Sequence, residues 1–110
     1  MQTIMNESEF HQRVDAILSS LEAAFDEVEA DIDCELSQGI LTITFENGSK
    51  IIVNRQTPNR EIWVAAKSGG FHFRFIDNLW RNTRESETLE ALLTNVITQQ
   101  SGIEVTIKFS

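Results

Sequence analysis

One cysteine, Cys34, leaves no internal disulfide to expect, which fits a reducing compartment. One proline and five glycines argue against a linker or a fibrous chain. Long apolar runs are missing too. The longest is Ile62-Trp63-Val64-Ala65-Ala66, far short of the roughly 20 residues that cross a bilayer as a helix. The opening Met1-Gln2-Thr3-Ile4-Met5 has neither a basic nor a sustained apolar stretch, so no export signal is expected. These absences predict a cytoplasmic protein with no membrane partner. Catalytic signatures are also wanting. There is no GxGxxG, GxxxxGK[ST], GxSxG, CxxC or HExxH. Gly48-Ser49-Lys50 lacks the upstream glycine of a phosphate loop. A tight zinc site and most nucleotide chemistry are thereby disfavoured.

What is present is charge of one sign, unevenly placed. The 110 residues suit one domain, spanning 1–110, and their net charge is −8. Residues 1–46 hold eleven carboxylates and one base, Arg13, while residues 47–110 hold six carboxylates and eight bases. Such an acidic surface repels nucleic acid and attracts cations or a basic protein face.

The period of the apolar residues changes along the chain. Phe10, Val14, Ile17, Leu18, Leu21, Phe25 and Val28 keep to one helical stripe, which predicts a helix over about 7–30. Asn6 and Glu9 have the spacing of a capping box. Ile32, Cys34 and Leu36 then alternate with Asp31, Asp33 and Glu35, a half-buried strand. Ile40–Phe45 and Lys50–Asn54 read as strands joined at Asn47-Gly48, where a two-residue type I′ turn is expected. Pro58 marks residues 56–60 as a connection. Ile62–Ala66 and Phe71–Phe75 follow as strands, and Leu79-Trp80 as a short sixth. Leu89, Leu92, Leu93, Val96 and Ile97 form a second helical stripe, with Ser86 as N-cap and Gly102 just past its end. Ile103–Phe109 is a candidate last strand. The expected fold is α+β, a two-layer sandwich. Two terminal helices cover one face of an antiparallel sheet of five to seven strands.

Three groups of residues bear on chemistry. Glu7, His11 and Asp15 recur every four residues on one helical face, where an imidazole between carboxylates suits a weakly held divalent metal or a solvated face. Glu22, Asp26 and Glu29, with Glu27 beside them, are placed by spacing opposite the apolar stripe. Asp31, Asp33 and Glu35 continue them along the adjoining strand. Like charges this dense lower stability, and oxygen donors suit hard cations such as ferric iron, Mn²⁺, Mg²⁺ or Ca²⁺. Side chains on a regular exposed face do not converge, so weak, multiple binding is expected. Trp63 is out of phase with Ile62 and Val64, hence on the uncovered sheet face unless the register buries it. Asn54, Gln56, Arg55 and Arg60 are expected near it, a composition suited to a protein interface. Cys34 reads as a small hydrophobe rather than a nucleophile, because flanking carboxylates oppose its ionisation. His72, opposite Phe71 and Phe73, reads as solvated.

The stretch Asn54-Arg55-Gln56-Thr57-Pro58-Asn59-Arg60-Glu61-Ile62-Trp63 resembles the frataxin signature, Asn-x-Gln-x-Pro leading into an Ile-Trp strand. Asp31–Glu35, Leu41–Ile52 and Gly69–Phe73 resemble the family's bacterial branch. The resemblance implies weak ferrous and ferric iron binding by an acidic ridge, with Glu22, Asp26, Glu27, Glu29, Asp31 and Asp33 at ridge positions. His11 and Glu46 fall at further possible ligand positions. It implies regulation of iron–sulfur cluster assembly through the cysteine desulfurase and the scaffold protein. Trp63 matches the sheet-face tryptophan of the family, and Glu22 and Asp26 would serve the partner as well as the metal. A monomer, with an iron-dependent oligomer as an option, is implied. Ala23, where relatives can carry an acid, and the short link Glu29-Ala30-Asp31 imply fewer ions. The competing readings are an iron-storing ferroxidase and an acidic adaptor that needs no metal.

Overall fold

A computed structural model describes residues 5–26, 32–85 and 87–107. Helix α1 (Glu7–Asp26) precedes six strands, β1 (Ile32–Ser37), β2 (Ile40–Phe45), β3 (Lys50–Gln56), β4 (Glu61–Ala66), β5 (Gly69–Ile76) and β6 (Leu79–Asn82). A 3₁₀ turn over Thr57–Asn59 joins β3 to β4, and helix α2 (Leu89–Ser101) follows the sheet. The strands pair antiparallel in chain order, so β1 and β6 are the edges. This is the expected α+β sandwich, with six strands.

Local chemistry sets the ends of the helices. Asn6 Oδ1 accepts the Glu9 N–H at 2.8 Å and starts α1. The Glu9 carboxylate turns instead to Arg13, 3.3 Å away, so only half of the capping box forms. The expected continuation of α1 through residue 30 falls outside the described residues, as do Glu27, Glu29 and Asp31. The N-cap of α2 is Thr88, whose Oγ1 accepts the Ala91 N–H at 3.2 Å, and not Ser86, which lies outside the described residues. Gly102 closes that helix at φ +72°, its N–H reaching the Thr98 carbonyl.

The turns correct one expectation. Asn47 keeps a negative φ, and only Gly48 is positive, at +87°. The Gly48 N–H returns to the Phe45 carbonyl and the Phe45 N–H to the Ser49 carbonyl, so the loop holds three residues. Asn47 serves through its side chain. Its Oδ1 accepts from Ser49, and its Nδ2 donates to the Gln100 carbonyl at 2.8 Å. Positive φ at both central residues, the type I′ requirement, occurs instead at Gln38-Gly39 and Asp77-Asn78.

Alternation along the strands builds the core. Leu41, Ile43, Phe45, Ile51, Val53, Ile62, Val64 and Phe73 point to one face, where Phe10, Val14, Leu18 and Leu21 of α1 and Leu89, Leu93 and Ile97 of α2 cover them. Gln100, buried at the end of α2, ties that helix to two turns. Its Nε2 donates to Ser49 Oγ and the Lys50 carbonyl, and its Oε1 accepts the Lys67 N–H. Each polar atom is satisfied, which makes its burial tolerable. The candidate last strand does not form among residues 103–107. Thr98 Oγ1 and Thr94 Oγ1 accept the Val105 and Ile107 N–H groups, and this segment runs back along α2 rather than pairing with the sheet. Among the described residues no helix is long and apolar enough to cross a membrane.

Candidate metal and partner surfaces

The acidic edge forms where α1 packs beside β1. Cys34 of β1 is half-buried, and its thiol is pushed up to about 11. Burial is the main cause, and the Glu22 and Asp26 carboxylates add to it. Both acids thus lie within electrostatic reach of β1, Glu22 half-buried and Asp26 exposed. The reading of Cys34 as a poor nucleophile agrees with this shift. Asp33 and Glu35 lie exposed on the opposite side of the same edge strand. Ile32 pairs with Phe45, which sets exposed Glu46 at the end of this edge where the chain enters β1. Among the described residues no three His, Cys, Asp or Glu side chains converge on one point. What the described edge offers a cation is a high local density of oxygen donors, not a closed coordination shell.

The Glu7–His11–Asp15 stripe is occupied by an arginine. Arg55 shares the phase of Ile51 and Val53, so its side chain enters under α1 and is only 15 % exposed. One guanidinium nitrogen lies 2.8 Å from His11 Nδ1 and another 2.5 Å from Asp15 Oδ1. A guanidinium only donates, so Nδ1 is the acceptor in this contact. Nε2 lies 3.6 Å from Glu7 Oε1. A cation bound here would have to displace this guanidinium. The expectation that Arg55 stands beside Trp63 is overturned, because alternate residues of a strand face opposite sides of the sheet. Arg60 also lies elsewhere, donating to the carbonyls of Met5 and Thr57.

Trp63 is half-buried on the uncovered face and is not part of the core. It pairs laterally with Asn54 on β3 and His72 on β5, and Gln56 pairs with Glu61. Its indole Nε1 lies over Gly70, where an added Cβ would approach to 3.3 Å. Glu61 is the residue the sequence pattern missed. Its side chain is only 8 % exposed on a face that alternation marks as wet. Oε2 accepts from Arg74 Nε at 2.9 Å, and Oε1 lies 3.3 Å from His72 Nδ1. That Nδ1 atom is buried and lacks an aligned hydrogen bond. His72 is therefore tied to a carboxylate rather than freely solvated. The cue for Glu61 was cross-strand: only the pairing of β4 with β5 brings Arg74 and His72 beside it.

The profile of the frataxin-like domain matches residues 3–103. The chain belongs to the frataxin family. Among its relatives in that family, the iron–sulfur cluster assembly protein CyaY of Paraburkholderia phymatum is 50 % identical over 103 residues, covering 94 % of this chain and 98 % of the relative. The CyaY protein of Burkholderia mallei is 47 % identical over 104 residues, covering 92 % and 96 %. The solved frataxin of Psychromonas ingrahamii superimposes with a TM-score of 0.86 at 33 % identity, over 96 % of this chain and 99 % of that one. A trimeric yeast frataxin solved with ferrous iron gives a TM-score of 0.68 at 25 % identity, over 94 % and 92 %.

Proposed function

We propose that this frataxin acts in iron–sulfur cluster assembly as a non-enzymatic, iron-responsive regulator. It binds the cysteine desulfurase, and with it the scaffold protein. The acidic edge of α1 and β1, including Glu22, Asp26, Asp33 and Glu35, holds ferrous or ferric iron weakly, and Glu27, Glu29 and Asp31 are proposed to extend it. Trp63, with Asn54 and Gln56, presents the second contact on the open sheet face. The observation that carries the reading is the clustering of carboxylates about β1, with Asp33 and Glu35 exposed on the strand and Glu22 and Asp26 of α1 close enough to act on Cys34. Carboxylates on two consecutive elements crowd one edge at a cost in stability, which a cation or a basic partner offsets. The relatives' name and the ferrous iron in the yeast structure support it. Iron bound in this way is dispersed and exchangeable, and suits sensing better than oxidation at a fixed centre. Charge steering brings the acidic edge to a basic desulfurase surface, and the indole supplies short-range specificity.

The test is a titration of desulfurase activity with this protein, with and without Fe²⁺, under anaerobic conditions. Inhibition deepened by iron is the expected result. Inhibition indifferent to iron would leave an acidic adaptor, and oxygen uptake with Fe²⁺ alone in an aerobic control would indicate a ferroxidase.

A further inference from the structure

Three arginines surround one hollow on this acidic molecule. It lies where the first turns of α1, the 3₁₀ turn after β3 and the end of β5 meet, and its volume is about 720 Å³. Arg13, Arg60 and Arg74 line it, and Glu9 is the single carboxylate among its lining residues. Pro58, Phe75 and Ile76 supply an apolar wall. On a chain of net charge −8, three arginines against Glu9 and the Glu61 carboxylate paired to Arg74 leave the hollow locally positive.

Each guanidinium is held in place. Arg13 lies over the Phe75 ring, 4.4 Å from its centroid, and reaches Glu9 at 3.3 Å. Arg74 is anchored through Nε to the buried Glu61 carboxylate. Arg60 is anchored to the backbone carbonyls of Thr57 and Met5, which position it without neutralising its charge. A guanidinium has five N–H donors, and these anchors use only part of each set. Fixed planar forks match carboxylate and phosphate oxygens in pairs, and their prior ordering reduces the entropy lost on binding.

We propose that this hollow binds a small polyanion carrying at least two carboxylate or phosphate groups. The volume falls in the range of small-molecule sites. The apolar wall accepts a carbon skeleton while the guanidinia take its charged ends. An extended polyanion is disfavoured, because the acidic surface beyond the hollow would repel it. The site is separate from the acidic edge and does not depend on the iron reading.

The experiment is a titration of the metal-free full chain, followed by amide chemical shifts, with citrate and with inorganic pyrophosphate as probes and acetate as a single-charge control. Saturable shifts at Arg60, Phe75 and Asn78 are expected from at least one probe at low ionic strength, and none from acetate. Citrate alone points to polycarboxylates, and pyrophosphate alone to phosphates. Arg13→Gln, at an exposed helical position, should weaken binding about tenfold, the value of one charge-assisted pair. Lys67→Gln, at the far end of β4, should leave it unchanged. No saturable shift from either probe overturns the proposal, as does equal weakening by Lys67→Gln or unaltered binding by Arg13→Gln. A response to polyglutamate alone overturns it in favour of an acidic protein partner.

Discussion

Arg55 and Asp15 meet 2.5 Å apart across the interface between sheet and helix, although 40 residues separate them in the chain. The contact turns a strand arginine into a strut under α1, and it removes Arg55 from the face that carries Trp63. Its stem packs while its charge is answered by a carboxylate and an imidazole nitrogen. Arg55→Ala should therefore cost about 1–2 kcal/mol, mostly as lost packing and unanswered polar groups, because Asp15 is itself 65 % exposed. The same variant should bind the desulfurase with unchanged affinity. A thermal melt beside a binding titration checks both, and weakened binding with an unchanged melt would move Arg55 back to the interface.

Trp63→Ala should show the reverse pattern. The indole is outside the core, so its loss should cost well below the ~3–5 kcal/mol of a buried aromatic deletion. Partner binding should fall by about 2 kcal/mol, the scale of a hot-spot tryptophan. Unfolding of the variant near room temperature would refute the exposed placement.

The acidic edge should limit stability. Glu22 and Asp26 are spaced i,i+4, a like-charge arrangement that costs roughly 0.2–0.5 kcal/mol on a helix. Glu22→Gln with Asp26→Asn should raise the melting temperature slightly and reduce its rise on adding ferric or divalent ions. Added salt should stabilise the parent protein by screening. A parent melt that responds to neither salt nor metal contradicts the assignment.

Cys34 gives the edge a pH signature. Its thiol stands at about 11 in the folded chain against an ordinary 9.0. A raised folded value contributes stability that is complete below the unfolded value and disappears as pH rises through the folded one. Stability should therefore decline between about pH 9 and 11, and Cys34→Ala should remove that component of the decline. Alkylation at pH 8 should be slow, and faster in the Glu22→Gln, Asp26→Asn variant, because two charges opposing the thiolate are gone. Equal alkylation rates in parent and variant would mean that these carboxylates do not reach the thiol.

Periodicity in the sequence determined which residues share a face. The stripe from Phe10 to Phe25, the alternation about Cys34 and the outward phase of Trp63 all follow from side-chain geometry along one element. The same local information named the cap at Asn6 and the glycine stop at Gly102. It could not decide what a face meets. Arg55 carries the phase of Val53, yet only the packing of α1 on β3 supplies His11 and Asp15 as its partners. Glu61 alternates as an exposed residue, yet Arg74 and His72 on the next strand enclose it. Asn47-Gly48 has the composition of a type I′ turn, but the Asn47 amide bonds to Gln100 at the end of α2, and the loop takes a third residue. Secondary structure follows from interactions a few residues apart, which a sequence displays. Burial and cross-element charge pairing depend on elements brought together by hydrophobic collapse, and only the folded chain places them side by side.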